Sequence, residues 1–186
     1  MANRNTQGFG LVPAGTLGQT PSTSGTGKYK IDAGYATTIF KGGAVASNAG
    51  YIIDGQTTDA PILGVLNGIF FNAATTLKPT FQNHYVQVTP ANSEDIDAFV
   101  FDNPQQQYVV ATDAAVAQSG FLETYDMNTS AGSTTTGRSS ATLDIGDTSA
   151  DAASFRLLRS AEDPENDENA AFRSVVVCLN LIELQS

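Results

Sequence analysis

The sequence predicts an all-β fold: a β-sandwich or β-barrel body behind an extended, Gly/Thr-rich N-terminal arm. Three observations carry this. Short runs of β-branched and aromatic residues alternate with turn residues at about the 8–12-residue spacing of sandwiches and barrels. Helical periodicity is nearly absent. The final run, Ser174 to Leu184, is apolar on both alternating faces, with Val175, Val177, Leu179 and Leu181 on one and Val176, Cys178 and Ile182 on the other. A strand of that kind belongs in the middle of a sheet covered on both sides.

The elements follow in order. Residues 1–27 hold six glycines and two prolines among Thr and Ser, with Phe9, Leu11, Val12 and Leu17 as the sizeable apolar groups. Such a stretch buries too little to offset its ordering entropy. Residues 1–34 are therefore expected to form the arm and residues 35–186 the body. Strands are expected at Thr37–Phe40, Tyr51–Ile53, Thr80–Val88, Ile96–Phe101, Tyr108–Val110, Ala141–Ile145 and Phe155–Arg159. Asn67-Gly68, between Ile62–Leu66 and Ile69–Phe71, carries a two-residue hairpin signal. Asp102-Asn103-Pro104 reads as a turn. One short helix is expected over Asp113–Gln118, with Thr112 as N-cap and Gly120 beyond its end. Ser130–Gly137 reads as a loop.

Composition narrows the function classes. The chain has 186 residues, of which 41% are hydrophobic and only 15% charged, against about 25% charged in ordinary soluble domains. A neutral-polar surface suits wide protein contact, because few charges must be desolvated on docking. Net charge is −10 and uneven. Residues 1–41 carry four basic groups against one acidic, net +3; the remainder carries five against eighteen, net −13. An acidic body repels phosphate backbones, so no nucleic-acid partner is expected. No apolar run approaches a membrane span or a secretory signal, so neither membrane nor export is expected. The single cysteine, Cys178, makes no intrachain disulfide and fits synthesis in a reducing cytoplasm.

Motifs that suggest chemistry fail on inspection. Ser24-Gly25-Thr26-Gly27-Lys28 lacks the first Gly of a phosphate loop and the hydroxyl residue after the Lys. His84 is the only histidine, and nothing in the sequence places it beside Cys178, which sits mid-strand among aliphatics. In the acidic run Glu162–Glu168, oxygens at 163, 165 and 167 could face one cation, but the central Gly and distal Glu of a calcium loop are missing; a solvated turn is expected. Glu94, Asp95 and Asp97 imitate a glycosidase pair but have no Trp and few clustered aromatics nearby. Asn128-Thr129-Ser130 is a glycosylation sequon, discounted without a signal peptide. The expectation is no catalytic residue, no cofactor and no metal.

The opening Met-Ala-Asn-Arg-Asn-Thr-Gln-Gly-Phe-Gly-Leu followed by Lys28-Tyr29-Lys30-Ile31 resembles small virion structural proteins of marine and cyanobacterial phages. Gly64-Val65-Leu66-Asn67-Gly68, Ala98-Phe99-Val100-Phe101-Asp102-Asn103-Pro104, Thr136-Gly137-Arg138-Ser139 and the Ala161–Pro164 turn extend the likeness over most of the chain. The resemblance implies a capsid decoration or cement protein on the outer surface of a tailed-phage head, made in the host cytoplasm, with the major capsid protein as partner. A more distant likeness of Gly43-Ala44-Val45 and Gly64-Val65 to lambda-like decoration domains implies self-association as a trimer. Under that reading Phe9, Leu11, Val12 and Leu17 are capsid-gripping anchors, and Lys28 and Lys30, with Arg4, pair with an acidic shell. The alternative is a head-fibre or host-surface glycan-binding module on the same fold.

Overall fold

The structure is a computed structural model and describes residues 3, 5–18, 25–55, 61–128, 132–146, 154–180 and 183–185. It is all-β and antiparallel within its sheets, with 3-10 turns at Ala91–Ser93, Gln118–Gly120 and Glu183–Gln185. The strands are β1 (Val12–Thr16), β2 (Gly27–Ile31), β3 (Ala44–Asn48), β4 (Tyr51–Asp54), β5 (Gly64–Asn72), β6 (Pro79–Gln82), β7 (Ile96–Phe101), β8 (Gln106–Ala111), β9 (Thr124–Tyr125), β10 (Met127–Asn128), β11 (Thr142–Leu143), β12 (Phe155–Ser160) and β13 (Ser174–Leu179).

One sheet runs β1-β8-β13-β12-β9, with β13 at its centre and all six of its residues buried. The two-faced apolar pattern from Ser174 to Leu179 produces this position; the strand ends there and does not run to Leu184. Val175, Val177 and Leu179 join Tyr108, Val110, Phe155 and Leu157 in a first core. The second sheet runs β2-β7-β5-β3-β4, with β6 also paired to β5. It curls until β2 and β4 approach each other. Inside the curl lies a second core of Ile31, Val45, Ile52, Leu66, Ile69, Ile96 and Val100, closed over by the Ile39–Tyr85 bridge. Successive residues of the curled sheet serve different cores: Ala44 and Val65 face the first, Val45 and Leu66 the second. Period-two alternation thus fastens the two halves together.

Several expectations are corrected: Thr37–Phe40 forms only the Ile39–Tyr85 bridge, Thr80–Val88 is strand only within Pro79–Gln82, and three larger ones follow. The N-terminal segment is not an arm outside the body. β1 is an edge strand, paired with β8 from Val12↔Val109 to Thr16↔Gln106, and β2 is paired with β7 along its whole length. Leu11 is 1% exposed in the first core. The glycines that argued for looseness permit a close crossing instead: Gly10 (φ +72°) and Gly42 (φ +81°) pass each other, and Leu11 N–H donates to Gly42 O at 2.8 Å. A Cβ on Gly10 would stand 2.8 Å from Gly42 O.

Asn67-Gly68 does not turn. β5 runs straight through it with a bulge between Leu66 and Gly68, because both flanking runs pair with the same neighbour, β7. That ladder outweighs the local hairpin preference.

The Asp113–Gln118 helix does not form. Thr112 bridges Leu143, and Asp113 Oδ1 accepts from Ile145 N–H at 2.9 Å, so the backbone entering the segment is already tied to residues 143–145. Val116 is drawn into the first core. Asp102–Pro104 does turn, but it carries the chain from one sheet to the other, with Asn103 O accepting from Gln106 N–H at 2.9 Å.

Candidate functional site

The expected anchor set divides into two places. Phe9, Leu11 and Val12 line a slot of about 50 Å³ between the sheets, together with Phe101, Lys41 and Arg138. Leu11 is its buried floor, while Val12 remains 39% exposed at the rim. Leu17 lies just past β1 and is exposed. Lys41 and Arg138 are brought together by tertiary structure: they share a parallel bridge, fixed by Lys41 N–H to Gly137 O and Ser139 N–H to Lys41 O, each at 2.9 Å. Neither cation has a carboxylate partner among the described residues. Sequence reasoning missed this pair, since nothing local links positions 41 and 138. Arg4, Thr129 and Ser130 lie outside the described residues.

Lys28 and Lys30 stand elsewhere, on β2 at the outer face of the curled sheet. Both pair with Asp97 of β7, at 2.7 and 2.6 Å. Burial alone would raise the Asp97 carboxyl; the two ammonium hydrogen bonds and their charges outweigh it and hold the group below its ordinary value. The same contact raises Lys30. These lysines therefore neutralise a carboxylate of their own chain rather than waiting for one on a shell.

The register places further residues on that face. Lys30 lies opposite Asp97, Asp97 opposite Phe70, and Phe70 opposite Phe81, in one cross-strand row over β2, β7, β5 and β6. Lys28 and Phe99 form the next row. The Phe70 and Phe81 rings are 4.7 Å apart, and Phe81 and Phe99 are 6.2 Å apart. Phe81 is 72% exposed. Beside the rings is a recess of about 260 Å³ lined by Lys30, Asn72, Glu94, Asp95 and Asp97 with Phe70 and Pro90. The carboxylate trio dismissed for want of aromatic neighbours has them after all. They are Phe70 and Phe71 of β5, which only the strand pairing brings alongside.

The remaining candidates do not assemble. Cys178 is buried in β13, where burial raises its thiol pKa, and its cross-strand neighbours are Gln107 and Arg156. His84 stacks on Phe40 at 5.9 Å, with Nδ1 2.8 Å from Asn83 Oδ1. The acidic run is built as a loop. Asp163 Oδ1 accepts from Glu165 N–H, Asn166 donates to Ser174 O at 2.8 Å, and Arg173 reaches Glu168 at 3.2 Å. Asn3 clasps the same loop by donating to Ala171 O at 2.8 Å and accepting from Asp167 N–H. Among the described residues no group of three His, Cys, Asp or Glu side chains could hold a metal ion. No described helix is long and apolar enough to cross a membrane.

No family model, no curated protein and no solved structure matches the chain.

Proposed function

We propose that this chain is a capsid decoration protein with a structural, non-catalytic role: it seats on the outer surface of a phage head and adds contacts between capsid subunits. The observation that carries the reading is the Lys41–Arg138 pair at the Phe9–Val12 slot. In a chain of net charge −10, two cations without an ionic partner among the described residues stand together beside the exposed Val12 and the half-buried Phe9. That combination fits an acidic, partly apolar patch on a shell protein, and like charge elsewhere on the body orients the approach.

The mechanism is mechanical. Packed DNA pushes a shell outward, and each bridging protein adds interface that must be lost before the shell opens; a stable interface buries roughly 1,200–2,000 Å². Part of the expected grip survives in a changed form: Phe9 and Val12 act from a folded edge, whereas Leu11, Lys28 and Lys30 are engaged within the body. A trimer rests on the distant family likeness, and sedimentation equilibrium of the free protein tests it.

The decisive experiment is attachment to capsids stripped of decoration. Lys41→Glu with Arg138→Glu should weaken attachment by about tenfold or more and flatten its dependence on salt. Unchanged attachment by a folded double variant sinks the reading.

A further inference from the structure

The face bearing Phe70, Phe81 and Phe99 has no part in that seat, and its chemistry differs. We propose that it is a carbohydrate-binding site that takes one neutral sugar ring, with the ring's C–H face on the Phe70–Phe81 pair and its hydroxyls in the recess that Phe70 lines.

Phe81 is the first reason. Its ring is 72% exposed and belongs to neither core. The cross-strand pairing explains why Phe81 touches Phe70, but not why a Phe is held in water where a polar residue would serve the strand equally. The three rings sit on paired strands, so the platform is positioned before any ligand arrives. The negative π-face of an aromatic ring attracts polarised C–H groups, and the axial C–H groups of a pyranose form such a surface.

The recess is the second reason. Lys30 and Asp97 hold each other, and Asp95 accepts from the Tyr51 hydroxyl at 3.1 Å, but the lining still offers both senses of hydrogen bond: the Lys30 ammonium has further N–H donors, the Glu94 and Asp95 carboxylates have oxygens that accept, and the Asn72 amide does both. The Asn72 side chain makes no hydrogen bond among the described residues. Sugar hydroxyls are donors and acceptors at once and satisfy such a mixed lining. A protein docking on this face would have to strip water from the Glu94 and Asp95 carboxylates, a cost that needs matching partners. Three carboxylates against the two ammonium groups of Lys28 and Lys30 leave the recess net negative, which disfavours sialylated, sulfated or phosphorylated ligands and selects neutral sugars. The volume of about 260 Å³ lies just below the range that holds drug-sized ligands, which leaves room for a single ring.

The proposal does not depend on capsid attachment, and the test keeps the two apart. Saturation-transfer difference NMR on the free full-length protein would use methyl glycosides of glucose, galactose, mannose and N-acetylglucosamine at up to about 20 mM, a range suited to weak binding. 3′-Sialyllactose is the anionic control. At least one neutral sugar should receive saturation, strongest at its ring C–H protons, and the anionic control should receive less. Phe81→Ala should cut the signal about tenfold, Phe81→Tyr should restore it because the π-face is kept, and Asn72→Ala should weaken it. No transfer to any neutral sugar, or transfer indifferent to Phe81→Ala, overturns the proposal. So does loss of capsid attachment or of self-association in Phe81→Ala, since either assigns the face to a protein.

Discussion

Leu11→Ala separates an N-terminal segment that belongs to the body from one that merely trails it. Leu11 is 1% exposed, lies in the first core with Val65 and Val110, and holds its backbone N–H on Gly42 O. Truncating a fully buried Leu costs about 2.7–5 kcal/mol, the upper end applying where the cavity cannot collapse. Here the surrounding strands belong to two sheets, and Gly42 is pinned by its own bond to Leu66 O at 2.9 Å, so little collapse is available. For a domain of this size each kcal/mol moves the midpoint by about 2–4 °C, which gives a fall of roughly 5–20 °C. Val12→Ala, one residue on and 39% exposed, should cost about 1 kcal/mol or less. The assay is thermal unfolding by circular dichroism and calorimetry on both variants at one pH and protein concentration. If Leu11→Ala melts with the wild type, the segment contributes nothing to the core, β1 does not cover β8 in solution, and the reasoning fails.

Asp97→Asn should remove part of the acid limb of the stability curve. A carboxyl held below its unfolded value lends stability above about pH 4 that disappears as pH falls through the folded pKa; melting temperatures of wild type and variant should therefore differ near neutrality and converge toward about pH 2. A constant gap across that window contradicts the two lysine contacts. Cys178 should resist a thiol-specific disulfide reagent in the native protein and react at once in denaturant, because burial both shields the sulfur and raises its pKa; stoichiometric labelling of the folded chain at pH 8 would show that β13 is not covered as described.

The fold class was legible because strand and turn periodicity are local properties. Val175, Val177 and Leu179 alternating with Val176 and Cys178 specify a strand covered on both faces, whatever its neighbours. The candidate surfaces were not legible. Lys41 meets Arg138, and Phe81 meets Phe70 and Phe99, only once separate segments of the chain choose partners.

Composition and local pattern by themselves determined that this chain is all-β, acidic and single-cysteine, with a last long strand covered on both faces. Tertiary structure alone decided that Gly10 and Leu11 cross Gly42 and enter the core, that Asn67-Gly68 is a bulge rather than a turn, and that residues 113–117 stay non-helical. Propensity at a Gly-rich or Asn-Gly site is worth about 1 kcal/mol, and a ladder of backbone bonds together with a buried Leu is worth several times that. Local preference yields wherever non-local pairing offers more, and sequence alone does not say which distant strand makes the offer.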